Sequence, residues 1–146
     1  MSLEYHKDKF TISTDPAKLD LDVIYGYLSR SYWAAGRPRA TVEKSIKHSL
    51  CFGVYDESKQ VGFARVITDF ATFAYLADVF ILEEYRGHGL GKWLVSVIMG
   101  HSDLQGLRRW SLATRDAHEL YRQYGFTELK TPDRWMEIFR PTNPNN

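Results

Sequence analysis

The 146-residue chain carries 19 Lys and Arg against 18 Asp and Glu, and 44% of it is hydrophobic, the make-up of one soluble domain large enough for a real core. With a net charge of +1 and no run of five like charges, nothing argues for nucleic acid or an anionic membrane surface. The single Cys51 excludes an internal disulfide framework, no apolar run approaches the roughly 18 residues of a membrane span, and Met1–Lys7 lacks the apolar centre of a signal peptide, so the cytosol is the default expectation.

In chain order, Phe10–Ser13 reads as a short first strand. From Asp20, the residues Leu21, Ile24, Tyr25, Leu28 and Tyr32 recur at helical spacing, and Gly36 and Pro38 stop that helix. Thr41 can cap a second helix with Val42 and Ile46 inward. Leu50–Tyr55 and Gln60–Ile67 read as strands of a hairpin around the polar turn Asp56–Lys59. Phe73–Leu82 is a third, longer strand, in which Asp78 alternates with Leu76 and Phe80. A helix follows with Leu90, Trp93, Leu94, Val97, Ile98 and His101 at helical period. Arg109–Thr114 is then a strand, Asp116–Tyr124 a helix opened by a capping-box-like Asp116/Glu119 pair and ended by Gly125, and Phe126–Leu129 and Arg134–Phe139 two closing strands. Residues 141–146 read as a disordered tail. The order gives a single α+β domain over 1–146, with its core at about 20–140: a mixed sheet with one parallel crossover at its centre.

The segment between the third strand and its helix, Glu83-Glu84-Tyr85-Arg86-Gly87-His88-Gly89-Leu90-Gly91-Lys92-Trp93, is the most informative. A strand that passes through a glycine-rich turn into a helix N-terminus presents free N–H groups at the positive end of a helix dipole, a phosphate site. Two nucleotide fingerprints fail here. The P-loop pattern would need glycine at Arg86 and a hydroxyl at Trp93, and G-x-G-x-x-G would need glycine at Lys92 or Leu94. The pattern [Gln/Arg]-x-x-Gly-x-[Gly/Ala] does fit, at Arg86, Gly89 and Gly91. This resembles the acetyl-CoA pyrophosphate loop of the GNAT superfamily of N-acetyltransferases. A second motif, Tyr121-x-x-x-Gly125-Phe126, is similar to the end of that family's last helix. At one position the chain departs: many members have asparagine seven residues before the tyrosine, and here it is Thr114. The likeness covers about residues 20 to 140.

The resemblance implies a mostly antiparallel twisted sheet with a central, splayed parallel pair and flanking helices. It implies direct acetyl transfer from acetyl-CoA to a primary amine of a small molecule or peptide, without a metal. The backbone of Arg86, Gly87, His88, Gly89, Leu90, Gly91 and Lys92 would hold the pyrophosphate. Val79, Phe80 and Ile81 would receive the pantetheine arm as an added strand and offer an N–H to the thioester oxygen. Thr114 would lie beside the arm, and Tyr121 would protonate the departing sulfur. Asp78 is the leading candidate for the base, its rival role an ion pair with an arginine such as Arg65; Asp69 and His118 are weaker candidates. Tyr32, Trp33 and Arg37, in the connection between the first two helices, would recognise the acceptor. A silent acyl-CoA-binding sensor is the alternative, a nucleotide-binding module is disfavoured, and a homodimer is left open.

Overall fold

A computed structural model describes residues 2–141. The elements are β1 (Glu4–Lys7), β2 (Phe10–Ser13), α1 (Leu21–Leu28), α2 (Arg39–Lys47), β3 (Leu50–Asp56), β4 (Lys59–Thr68), β5 (Phe73–Ile81), α3 (Leu90–Gly100), β6 (Arg109–Ser111) and α4 (His118–Arg122). All six strands join one sheet in chain order, β1-β2-β3-β4-β5-β6. The first five are antiparallel, because each is a hairpin partner of the next or returns after the α1–α2 excursion. Only β6 lies parallel to its neighbour, since α3 carries the chain back across the sheet first. Among the described residues no helix is long and apolar enough to cross a membrane. Thr142–Asn146, most of the expected tail, lie outside the described residues.

The sheet is covered on both faces. Ile12, Phe52, Val54, Ala64, Val66 and Leu76 pack with Leu94 and Ile98 of α3 and with Tyr121 of α4. On the opposite face Cys51, Phe63 and Phe80 pack with Ile24 and Leu28 of α1 and Val42 of α2. Leu76 and Phe80 therefore lie on opposite sides of the sheet, contrary to the simple alternation expected for β5. The reason is a bulge. Arg65 pairs with Ala77 while Phe63 pairs with Phe80, so Asp78 and Val79 together oppose the single residue Ala64. Asp78 takes up the extra residue in a left-handed conformation, φ 54°. For a non-glycine residue this costs about 1–3 kcal/mol and must be held by its surroundings.

Several local expectations are corrected. The strand β1 was not anticipated; it pairs with β2 around a tight turn at Asp8, φ 56°. α1 ends at Leu28, so Tyr32 belongs to the turns that follow it. α2 starts at Arg39 instead of behind Thr41, because the Pro38 carbonyl already accepts from Thr41 and Val42 N–H. The start of α4 is organised by Thr114, whose Oγ1 accepts from Ala117 N–H at 3.1 Å, and not by an Asp116/Glu119 box. β6 stops at Ser111, and residues 126–129 and 134–139 are not strands.

One buried polar side chain ties the α1 end of this fold together. Gln60, 1% exposed, accepts from Asp20 N–H at 2.7 Å and donates to the Gly62 carbonyl at 3.0 Å. Gln60→Leu should lower stability by roughly 1–3 kcal/mol, because a backbone donor and acceptor lose their partner out of reach of water. A urea melt with an unchanged slope and a shifted midpoint is the check.

Candidate active site

The parallel pairing of β5 and β6 runs only from Phe73/Arg109 to Tyr75/Ser111. Beyond Tyr75, residues 76–81 of β5 have no strand neighbour on that side among the described residues, and the sheet opens into a cleft. One arm of the cleft, about 750 Å³, runs along Val79, Phe80 and Ile81 to Arg86, Gly89 and Gly91. The other, about 450 Å³, is bounded by Arg37, Arg65, Asp78 and Thr114. Tyr32, Trp33, Val79, Arg115 and Tyr121 line both arms, so the two meet there.

The first arm ends on the glycine turn. None of the backbone N–H groups of residues 87–92 donates a hydrogen bond within the described protein; the ladder of α3 begins with Trp93 N–H on the Gly89 carbonyl at 3.0 Å. Gly87 and Gly89 take φ 86° and 75°, and a Cβ added at either would meet no protein atom within 4 Å. Glycine is needed there for the left-handed backbone, and the space above it is open to a ligand. This is a helix N-terminus with a row of uncommitted donors, matched to an anion such as pyrophosphate. The Arg86 guanidinium donates to Tyr27 Oη at 2.7 Å, and the Tyr27 ring stacks on Phe80 at 4.1 Å. His88 is exposed. Tyr124 donates its hydroxyl to the Lys92 carbonyl at 2.9 Å and so ties α4 to the first turn of α3.

Comparison with known proteins agrees with this geometry. The acetyltransferase (GNAT) domain profile matches residues 47–128. The chain belongs to the GNAT family of acetyltransferases. A Gibberella zeae protein assigned as an acetyltransferase is 36% identical over 135 residues, 77% of this chain and 75% of that one. A solved structure from Xanthomonas campestris, assigned to the same family, is 52% identical with a TM-score of 0.89, covering 91% of this chain and 94% of the other. A GNAT structure from Elizabethkingia anophelis with acetyl-CoA bound is 14% identical and shares the fold, TM-score 0.66, over 93% of this chain and 92% of its own.

In this GNAT acetyltransferase Asp78 lines the second arm, next to the shared Val79, and is heavily engaged. Its Oδ1 accepts from Trp33 Nε1 at 2.9 Å, and its Oδ2 accepts from Arg37 Nη1 at 3.0 Å and Arg65 Nε at 2.9 Å. Burial opposes its charge, but the guanidiniums of Arg65 and Arg37 outweigh that burial and hold the carboxyl below its ordinary pKa. A carboxylate holding three donors is a poor proton acceptor, and the ion pair with Arg65, the rival role expected for Asp78, is present. The same contacts relocate Trp33 and Arg37. Both reach the cleft, and both are also the clamp that holds the bulge.

Tyr121 lies 7% exposed beneath the junction, and its hydroxyl makes no hydrogen bond with any described residue. Burial, helped by the nearby Tyr32 phenol, pushes it up to about 12, so it is fully protonated at neutral pH. Tyr32 spans the mouth: its hydroxyl accepts from Arg115 N–H at 3.1 Å, and the Arg115 guanidinium lies 3.8 Å from its ring centre. Sequence reasoning missed Arg115, which carries no motif of its own. Asp69 is spent in the β4–β5 turn, accepting from Ala71, Thr72 and Phe73 N–H, and His118 is exposed on α4. Cys51 is pushed up to about 12 by burial and offers no thiolate.

Replacing Asp78 tests the clamp. Asp78→Ala leaves two half-buried guanidiniums facing each other and should cost about 3–5 kcal/mol of stability. Because the folded carboxyl titrates below its unfolded value, its contribution is present above about pH 4 and is lost as pH falls through the folded value. Wild-type stability should therefore drop on acidification more steeply than that of the variant, read from urea melts across a pH series.

Proposed function

We propose that this acetyltransferase moves an acetyl group from acetyl-CoA to a primary amine of a small molecule or peptide, with both substrates bound together. One observation carries the reading: a row of free N–H groups at the N-terminus of α3 leads along an unpaired strand edge to an unbonded, protonated tyrosine. Acetyl-CoA, when bound, supplies the acyl group as a thioester. The amides of Gly87, His88, Gly89, Leu90, Gly91 and Lys92 hold its pyrophosphate, and the open edge at Val79, Phe80 and Ile81 lies alongside its arm in the manner of an added strand. The bulge at Asp78 turns the Val79 backbone out of register with β4, which suits its N–H to stabilising charge on a carbonyl oxygen. Tyr121 keeps a proton at Oη where the arms meet, ready for a departing sulfur, with Thr114 beside it.

Asp78 acts here as a positioning residue. The second arm receives the acceptor between Trp33, Tyr32 and the paired guanidiniums Arg37 and Arg65. Two arginines share one carboxylate, which leaves an excess positive charge at the wall of a half-enclosed cleft. That excess favours an acceptor with an acidic group near its amine. The amine proton leaves to solvent in the open arm, since Asp78 is committed.

Release of CoA thiol, followed across amines with and without a carboxylate, is the direct test. Acid-bearing amines should give the higher kcat/KM, and no release with any amine would reduce the protein to an acyl-CoA binder. Tyr121→Phe should lower kcat by about 10²-fold, the modest end for a general acid because a thiol is already a fair leaving group, with acetyl-CoA affinity by calorimetry unchanged. Gly89→Glu should abolish that affinity while circular dichroism stays native, since it sets a carboxylate in the anion's place; normal binding by this variant would remove the loop assignment.

A further inference from the structure

The acceptor arm does not end at Arg65. Val66 and Leu76 are paired across β4 and β5, and both belong to the layer packed with α3. Ile67 and Tyr75, the next pair along, therefore lie on the α1–α2 face. The packed layer on that face draws Cys51, Phe63 and Phe80 from the sheet and takes in neither residue of this pair. Tyr75 lines the acceptor arm, and Ile67 beside it is 41% exposed. The arm thus runs out of the cleft onto an uncovered apolar strip of sheet.

At the end of these strands the β4–β5 turn carries Phe70, 51% exposed, at φ 62°. A bulky side chain in that left-handed region is an outlier. The turn does not need it. Asp69 Oδ1 accepts from Ala71 and Thr72 N–H at 2.9 and 2.7 Å. Thr68 Oγ1 accepts from Phe70 N–H at 2.9 Å and donates to the Phe73 carbonyl at 2.7 Å. Glycine at position 70 would keep every one of these bonds and would relax the conformation. Phe70 costs the fold twice, in backbone conformation and in apolar surface left to water, which points to a role outside the fold.

We propose that Tyr75, Ile67 and Phe70 form an apolar subsite for the far end of the acceptor, selecting amines that carry a large apolar or aryl group at a distance from their acidic group. The occupant is the acceptor because Tyr75 belongs to both the arm and the strip, so a molecule held at Arg37 and Arg65 meets the strip as it leaves the cleft. The strand sets the spacing. Three residues of β5 separate Asp78 from Tyr75 and five separate it from Phe73 at the turn, a reach of about 10–17 Å. This rests on the acidic-amine reading above and adds a second anchor to it.

CoA thiol release by the native protein, with probes of the form Glu-(Ala)n-Phe-amide and Glu-(Ala)n-Ser-amide carrying none to four alanines, reads the spacing directly. The Phe probe should exceed its Ser counterpart in kcat/KM by about tenfold or more at two to four alanines, and the two should match with none. Equal values at every length, with the probes turned over, overturn the subsite and leave the acidic-amine reading standing. Turnover of neutral amines but of no glutamyl probe removes that reading, and the subsite with it. Phe70→Gly and Ile67→Ser should each bring the ratio back toward one by raising KM for the Phe probe. A ratio unmoved by both variants equally overturns the proposal. Phe70→Gly should unfold at the native urea midpoint or above it, since its backbone is relaxed; a lower midpoint would place Phe70 in the fold's own packing and overturn its role here.

Discussion

The site depends on one carboxylate held in an unfavourable backbone. Asp78 sits at φ 54° inside a strand, a conformation that a β-strand of L-residues avoids. Three donors hold it there: Trp33 and Arg37 from the α1–α2 connection and Arg65 from the neighbouring strand. The bulge they stabilise switches the side-chain alternation of β5, so that Leu76 faces α3 and Phe80 faces α1. The same ion cluster thus shapes the strand edge, draws the α1–α2 turns over the cleft, and places two guanidiniums at its wall. A buried ion pair of this kind adds little net stability, since desolvation offsets attraction, but it specifies one geometry strongly.

The second requirement is divergence of β5 from β6. Their pairing ends at Tyr75/Ser111, and the two sides of the gap are then held by different devices. On the β5 side, the Arg86–Tyr27 hydrogen bond and the Tyr27–Phe80 stack fasten the start of the glycine turn to α1. On the other, Tyr124 bonds the carbonyl of Lys92 and Thr114 caps the turn into α4. What crosses the gap is side-chain bonding, Tyr32 Oη accepting from Arg115 N–H, and not strand pairing, so the gap can accept a ligand without breaking sheet structure. The turn itself contributes donors that the protein leaves unused, a cost accepted in folded proteins mainly where a ligand meets it.

Tyr121 and Asp78 differ in how their polar atoms are used. Both are buried and line the second arm of the cleft. Tyr121 has an unbonded hydroxyl and a proton it retains well above neutral pH, while Asp78 already accepts from three donors, two of them guanidiniums. A buried polar group with spare hydrogen-bonding capacity facing a cavity is available to a substrate, and one without it serves the scaffold.

Local chemistry made much of this legible from the sequence. The Arg86–Gly91 turn, the helix after it, the β3–β4 hairpin and the Tyr121-to-Gly125 helix end all rest on short-range rules: glycine at left-handed positions, apolar residues at helical period, polar turns between alternating strands. The family followed from two of them. Three features needed the folded chain. The parity switch at Asp78 depends on an extra residue opposite Ala64, and strand pattern carries no mark of which position absorbs it. Arg115 meets Tyr32 across 83 residues of sequence, so neither announces the other. Residues 126–129 and 134–139 have strand composition but pair with no strand among the described residues, because backbone pairing needs a neighbouring edge at the right distance, and composition sets only the willingness to pair. Local sequence determined which segments could be helix, turn or strand and where a glycine turn would leave donors free; tertiary structure decided which charges meet, since those contacts join residues that only the closed sheet brings together.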